Sequence, residues 1–152
     1  MSITHGSFTI ERTYDVDAAR VFRAWADPAA KAMWFGADGA GADGGHELDF
    51  RVGGREVNRA SFEGDEYRYE ALYHDIVEDD RIVYTYDMYR NDERISVSLG
   101  TVELAPSGAA TKLTYTENTA FFDDADTPEQ RQGGTEQMLD ALGEALKATA
   151  GT

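Results

Sequence analysis

The sequence predicts an α+β domain: one strand, two short helices, a long antiparallel meander and a closing helix. Three observations carry the prediction. Between about residues 46 and 119, β-branched and aromatic residues recur in short runs broken by turn clusters, the pattern of strands joined by hairpins. From Pro128 onward, apolar residues fall at mixed three- and four-residue spacing, one face of a helix. Between the first strand and the meander, Asp17 and Asp27-Pro28 stand where helix starts are expected. The 152 residues suffice for one domain with a real core, and no repeat or linker divides them. Residues 1–152 are therefore read as a single unit.

Phe8–Tyr14 alternates apolar and polar residues and reads as the first strand. Asp17 caps a helix with Val21, Phe22 and Trp25 on one face. Asp27-Pro28 closes it and opens a second, since proline at a first helical position loses no hydrogen bond. Met33, Trp34 and Phe35 are expected on this second helix, which ends at Gly36. Residues 36–45 hold five glycines and two aspartates and read as a loop. The loop follows a helix and has no Lys, which argues against a phosphate cradle. Strands are then expected over Arg51–Phe62, Tyr67–Val77, Arg81–Tyr89, Ile95–Leu104 and Thr111–Thr119. Gly53-Gly54 marks a bulge or a close approach in the first of these. Thr127-Pro128-Glu129-Gln130 has the capping-box pattern. Met138, Leu139, Leu142, Ala145 and Leu146 form the apolar stripe of the last helix. Gly133-Gly134 within that helix costs about 1 kcal/mol per glycine relative to alanine, which a kink or a close approach to the sheet would justify.

Composition excludes several roles. Fourteen Lys and Arg against 29 Asp and Glu give a net charge of −15, which argues against a nucleic-acid binder and against an anionic membrane surface. The absence of Cys removes disulfides, thiolate metal sites and Cys nucleophiles. No apolar run nears the ~18 residues of a membrane span, and the start lacks the basic and apolar segments of a signal peptide. A cytoplasmic location is expected. Only three of the basic residues are Lys. An acidic, Lys-poor surface suits a salt-rich cytoplasm, and a GC-rich coding bias gives the same composition.

His5, His46 and His74 show no metal-ligand spacing, and no cofactor motif is present. No G-x-S-x-G elbow exists, so no catalytic residue is assigned. Ser96 and Ser98 alternate with Ile95, Val97 and Leu99 and read as one polar face of the sheet. Glu117 shares a strand face with Leu113 and Tyr115. If that face points inward, Glu117 is a buried carboxylate with a raised pKa or a cationic partner, Arg55 or another strand Arg; a partly exposed strand-end Glu is the alternative.

Several segments, in order, carry a family resemblance. They are Glu11–Val16, Val21–Pro28, Met33–Gly36, Val52-Gly53-Gly54-Arg55, Tyr73–Thr85 and Thr111–Thr116. The chain resembles the START-like (SRPBCC) superfamily, in the branch of the C-terminal domain of the activator of the ninety-kilodalton heat-shock protein ATPase. The resemblance spans about residues 8 to 148. It departs where Glu78-Asp79-Asp80 replaces a turn proline and where Glu56 replaces a frequent aromatic. It implies a helix-grip fold, a curved antiparallel sheet wrapped around the long C-terminal helix with a cavity between.

The resemblance also implies a small hydrophobic or amphipathic ligand in that cavity. Trp34 and Phe35, with the residue 36–45 loop, are expected as a lid. Phe62, Tyr69, Tyr84, Tyr86 and Tyr115 supply apolar area with polar tips, Met138 and Leu142 the helix side, and Arg55 and Glu117 polar contacts. Two alternatives follow from the same resemblance. One is a cyclase- or dehydratase-like enzyme using Glu117 and the tyrosines. The other is a co-chaperone-like protein-binding domain, an activity found in longer relatives with an additional N-terminal domain. A homodimer is compatible with a domain of this size, although no sequence feature specifies one.

Overall fold

The computed structural model describes residues 2–35 and 45–149. The expected loop at residues 36–44 lies outside the described residues. The described chain forms a curved, unclosed seven-stranded antiparallel sheet with helices on its inner side. Strands β1 (Ile3–Tyr14), β2 (His46–Leu48), β3 (Arg55–Phe62), β4 (Asp65–Val77), β5 (Arg81–Arg90), β6 (Glu93–Ser107) and β7 (Ala110–Phe122) lie in the order β1-β7-β6-β5-β4-β3-β2. Helices α1 (Ala18–Ala26) and α2 (Pro28–Ala32) follow β1, and α3 (Pro128–Thr149) closes the chain. Among the described residues no helix is long and apolar enough to cross a membrane.

The local signals act as their chemistry requires. Asp17 accepts from the Arg20 backbone N–H at 2.9 Å and caps α1, while Asp27 accepts from Ala30 at 3.2 Å and caps α2. Thr127 Oγ1 accepts from Gln130 N at 3.1 Å at the start of α3. The reciprocal half of that capping box is made instead by Asp126, which takes the Thr127 N–H at 2.7 Å. The turns after β4 and β5 hold Asp79, Asn91 and Asp92 at positive φ, which short polar side chains tolerate.

Several boundaries differ from those expected. The edge strand β1 and its neighbour β7 pair in unbroken register from Ile3–Phe122 to Tyr14–Thr111, so both run past their most strongly alternating parts. Helix α2 ends at Ala32, and Met33–Phe35 form a closing turn in which Trp34 and Phe35 both donate to the Lys31 carbonyl. Strand β3 starts only at Arg55. Residues 51–54 form a turn stitched to β4 by Gly53 N to Tyr73 O (2.8 Å) and Tyr73 N to Gly54 O (3.0 Å). A Cβ on Gly54 would stand 2.1 Å from the Asp49 carbonyl oxygen, so the close approach falls there.

Helix α3 turns Arg131, Thr135, Leu139, Leu142 and Leu146 inward, a stripe of four- and three-residue steps. It is fixed to β1 by the Tyr14 hydroxyl, which donates to the Leu139 carbonyl at 2.7 Å, and by Arg12 to Asp140 at 2.8 Å. Gly143 lets the Tyr14 ring come this close, since a Cβ there would meet the ring at 3.1 Å. Gly133 and Gly134 differ from expectation: a Cβ at either would meet nothing within 4 Å.

Candidate functional site

Strict alternation along β7 buries Thr111, Leu113, Tyr115, Glu117, Thr119 and Phe121 on the inner face. The neighbouring strands add Tyr84 and Tyr86 from β5 and Ser96 and Ser98 from β6, all buried. The serine face of β6 is thus the inner one, and Val97 and Leu99 point outward. Alternation defines two faces, and the inner one of β6 carries Ser96 and Ser98 at one end and the buried Val102 and Leu104 at the other.

The polar partners of the two serines are Glu117 and Arg131. Glu117 is 1% exposed. Its Oε1 accepts from Tyr115 at 2.6 Å, and its Oε2 accepts from Tyr86 and from Thr119, both at 2.9 Å. Arg131 comes from α3, not from a strand, and its Nη1 lies 3.6 Å from Glu117 Oε2. Arg131 donates from Nη1 to Tyr86 (2.8 Å) and Ser98 (3.3 Å), and from Nη2 to Ser96 (2.8 Å) and Asp126 (3.0 Å). Its Nε donates to Asp126 at 3.3 Å. All five guanidinium N–H groups are therefore used. Burial works against the Arg131 charge, but Tyr86, Glu117 and Asp126 more than offset it and raise its pKa. Burial pushes the Tyr84 and Tyr115 hydroxyls well above their ordinary range. These two share a bond of 3.0 Å beside Gly100, where a Cβ would stand 2.8 Å from the Tyr84 ring.

A second buried cluster joins α2 to β2, β3 and β4. Lys31 and Glu56 are 1% and 0% exposed and meet at 2.7 Å. Tyr73 donates to the same Glu56 oxygen at 2.7 Å, and His46 Nε2 lies 2.7 Å from the other. The Lys31 ammonium also sits 4.4 Å from the Phe35 ring centroid. Burial pushes Glu56 up, but the Lys31 charge and the donors from His46, Lys31 and Tyr73 hold it below the ordinary carboxylate value. Glu56 is the residue at which the chain departs from the family's frequent aromatic, and its burial is matched by Lys31.

Between the inner sheet face and α3 lies a recess of about 340 Å³. Phe35, Phe62, Tyr69, Tyr84, Tyr86, Tyr115, Glu117 and Met138 line it, with Asn58, Ala60, Tyr67, Met88, Asp126, Gln130, Arg131, Gly134 and Thr135. Three residues expected at a ligand stand elsewhere. Trp34 is turned back onto α1, its Nε1 donating to the Ala24 carbonyl at 3.0 Å and its ring 4.7 Å from that of Trp25. Leu142 is fully buried in the core, beyond Met138 along α3. Arg55 is exposed, and the next residue, Glu56, is the one that turns inward. Arg131 and Asn58 carried no sequence expectation. Arg131 lies eight residues before Leu139 on the helix stripe, and Asn58 two after Glu56 on β3.

Two buried polar atoms of this lining have no hydrogen-bond partner: Asn58 Oδ1 and Tyr69 OH. Among the described residues no three His, Asp or Glu side chains converge as a metal site. Glu117 has its oxygens occupied by donors, so in this arrangement it anchors structure rather than standing free as a base.

A curved sheet gripping a long C-terminal helix, with short helices after the first strand, defines a START-like helix-grip domain. The chain belongs to the family described as "Activator of Hsp90 ATPase homolog 1-like protein", whose model matches residues 15–147. A crystal structure of a Rhizobium loti protein is 49% identical, covers 96% of this chain and 100% of its own, and superposes with a TM-score of 0.88. A putative uncharacterized protein from Rhizobium leguminosarum is 40% identical over 97% of each chain, with a TM-score of 0.91. A Staphylococcus aureus protein of unknown function, 16% identical over 99% of this chain and 98% of its own, shares the fold at a TM-score of 0.75. No curated protein matches the chain significantly.

Proposed function

We propose that this domain binds a small hydrophobic or amphipathic molecule in the recess between the sheet and α3. The observation that carries the reading is the recess itself, about 340 Å³ walled by six aromatic side chains from four strands and a seventh, Phe35. That is the low end of the range for small-molecule sites, which are typically apolar with a few placed polar groups. Gly134 supports it from the helix side. A glycine inside α3 forgoes about 1 kcal/mol of helix propensity, and here it leaves open space at the recess wall.

The test is a thermal-shift screen of uncharged aromatic and aliphatic compounds against the wild-type protein and Gly134→Phe. The reading expects compounds that raise the melting temperature of the wild type and do not raise that of the variant, whose added ring occupies the recess. A screen in which no compound stabilises the wild type would contradict it. So would compounds that stabilise both proteins equally.

A further inference from the structure

Given that reading of the recess, we infer that its ligand is uncharged and carries a hydroxyl-like group that donates to Asn58 and accepts from Tyr69. Two sets of observations meet here. The first concerns the charges. Arg131, Glu117 and Asp126 are the ionisable groups of opposite sign among the described lining residues, one cation against two carboxylates. The cation has no donor to spare. Its five N–H groups are committed to Tyr86, Ser98, Ser96 and Asp126. A ligand carboxylate or phosphate entering the recess would find a net negative wall and no free guanidinium edge. Stripping such an anion of water without pairing it is strongly unfavourable.

The second set concerns the polar atoms left over. Asn58 and Tyr69 are 7% and 8% exposed, and Asn58 Oδ1 and Tyr69 OH are without partners. They are direct register partners on β3 and β4, so their side chains stand next to each other on the inner face. Burial holds the Tyr69 hydroxyl far above its ordinary pKa, so it stays protonated and able to donate. A carbonyl that needs a donor beside a hydroxyl that can give one is complementary to a single O–H group. Buried polar atoms left unpaired are costly and uncommon in folded proteins, and both residues belong to the recess lining. The third such atom among the described residues, Trp25 Nε1, belongs to a residue outside the lining.

Three probes on one bicyclic frame test the inference by calorimetric titration at pH 7: 2-naphthol, naphthalene and 2-naphthoate. The expected order is 2-naphthol tightest, naphthalene weaker by about tenfold, the margin of two modest net hydrogen bonds, and 2-naphthoate weakest. Asn58→Leu is expected to narrow the margin of 2-naphthol over naphthalene, because only the bond from Tyr69 remains. It should also melt no lower than the wild type, because it removes an unpaired polar atom. Binding of 2-naphthoate as tight as 2-naphthol would overturn the charge argument while leaving the recess a binding site. Equal binding of 2-naphthol and naphthalene to the wild type, or a lower melting temperature for Asn58→Leu, would overturn the anchor in the same way. Failure of all three probes to bind a folded wild type would remove the binding reading, and the inference with it.

Discussion

Replacing Glu56 by Gln removes one charge from a site with almost no solvent. Lys31 is 1% exposed, and Glu56 is the carboxylate it meets, at 2.7 Å. Glu56→Gln therefore leaves a buried ammonium without its counter-charge, held only by neutral acceptors, the amide oxygen at position 56 and the Tyr73 hydroxyl at 3.2 Å, and by nearby aromatic rings. Breaking a buried pair in this way costs about 3–5 kcal/mol. At about 2–4 °C per kcal/mol for a domain this size, the melting temperature should fall by roughly 6–20 °C. The double variant Lys31→Met/Glu56→Gln removes the stranded cation, and the amide oxygen introduced at position 56 can still accept from Tyr73. It should regain at least about 2 kcal/mol over Glu56→Gln, the size of coupling expected between contacting charges. Urea unfolding followed by tryptophan fluorescence, from the buried Trp25 and Trp34, gives both numbers. The pH dependence has a definite sign. Glu56 titrates below its ordinary value of 4.5 in the folded state. Its contribution is therefore present above about pH 4.5 and is lost as pH falls through the lower folded value. The gap between wild type and Glu56→Gln should narrow in that acid window. A Glu56→Gln variant within about 1 kcal/mol of wild type at pH 7, or a double variant no more stable than it, would refute the reasoning.

Two further outcomes follow from the geometry of α3 and its cluster. Gly133→Ala should stabilise by about 1 kcal/mol, since its Cβ meets nothing, whereas Gly143→Ala should not, because its Cβ presses the Tyr14 ring at 3.1 Å; thermal unfolding of the two variants compares them directly. Glu117→Gln should destabilise by about 2–4 kcal/mol, because charge-assisted bonds from Tyr86, Tyr115 and Thr119 weaken together, and urea unfolding at pH 7 measures it.

The sequence made some of this legible, and the rest depended on distant contacts. The alternation of β7 put Glu117 beside Leu113 and Tyr115, and the structure buries all three. The spacing of Leu139, Leu142 and Leu146 marked the inner face of α3, but Arg131 is part of that face too. It sits in a polar run just after the cap, where a charged side chain reads as solvated. Only stepping the stripe back by four and eight residues from Leu139 reaches Thr135 and Arg131. Lys31, between alanines on a helix of five residues, carries no periodic signal. Its burial is decided by Glu56, 25 residues later. Ser96 and Ser98 show the same limit. Alternation separates the two faces of β6, but the polar partners of Ser96 and Ser98 on the inner one, Glu117 and Arg131, come from β7 and α3, which no local pattern supplies.

The central claim is that a small molecule occupies the recess under α3. Methyl chemical-shift mapping during a titration with 2-naphthol tests it at the residues concerned. Ala60, Met88, Thr135 and Met138 place methyl groups in residues of the lining, while Ile3, Met33 and Val52 are exposed elsewhere. The account predicts saturable shifts at the first four positions, reaching completion at one molecule per chain, with the exposed methyls unmoved. Shifts confined to the exposed methyls, or none at the lining up to the solubility limit of the probe, would contradict it.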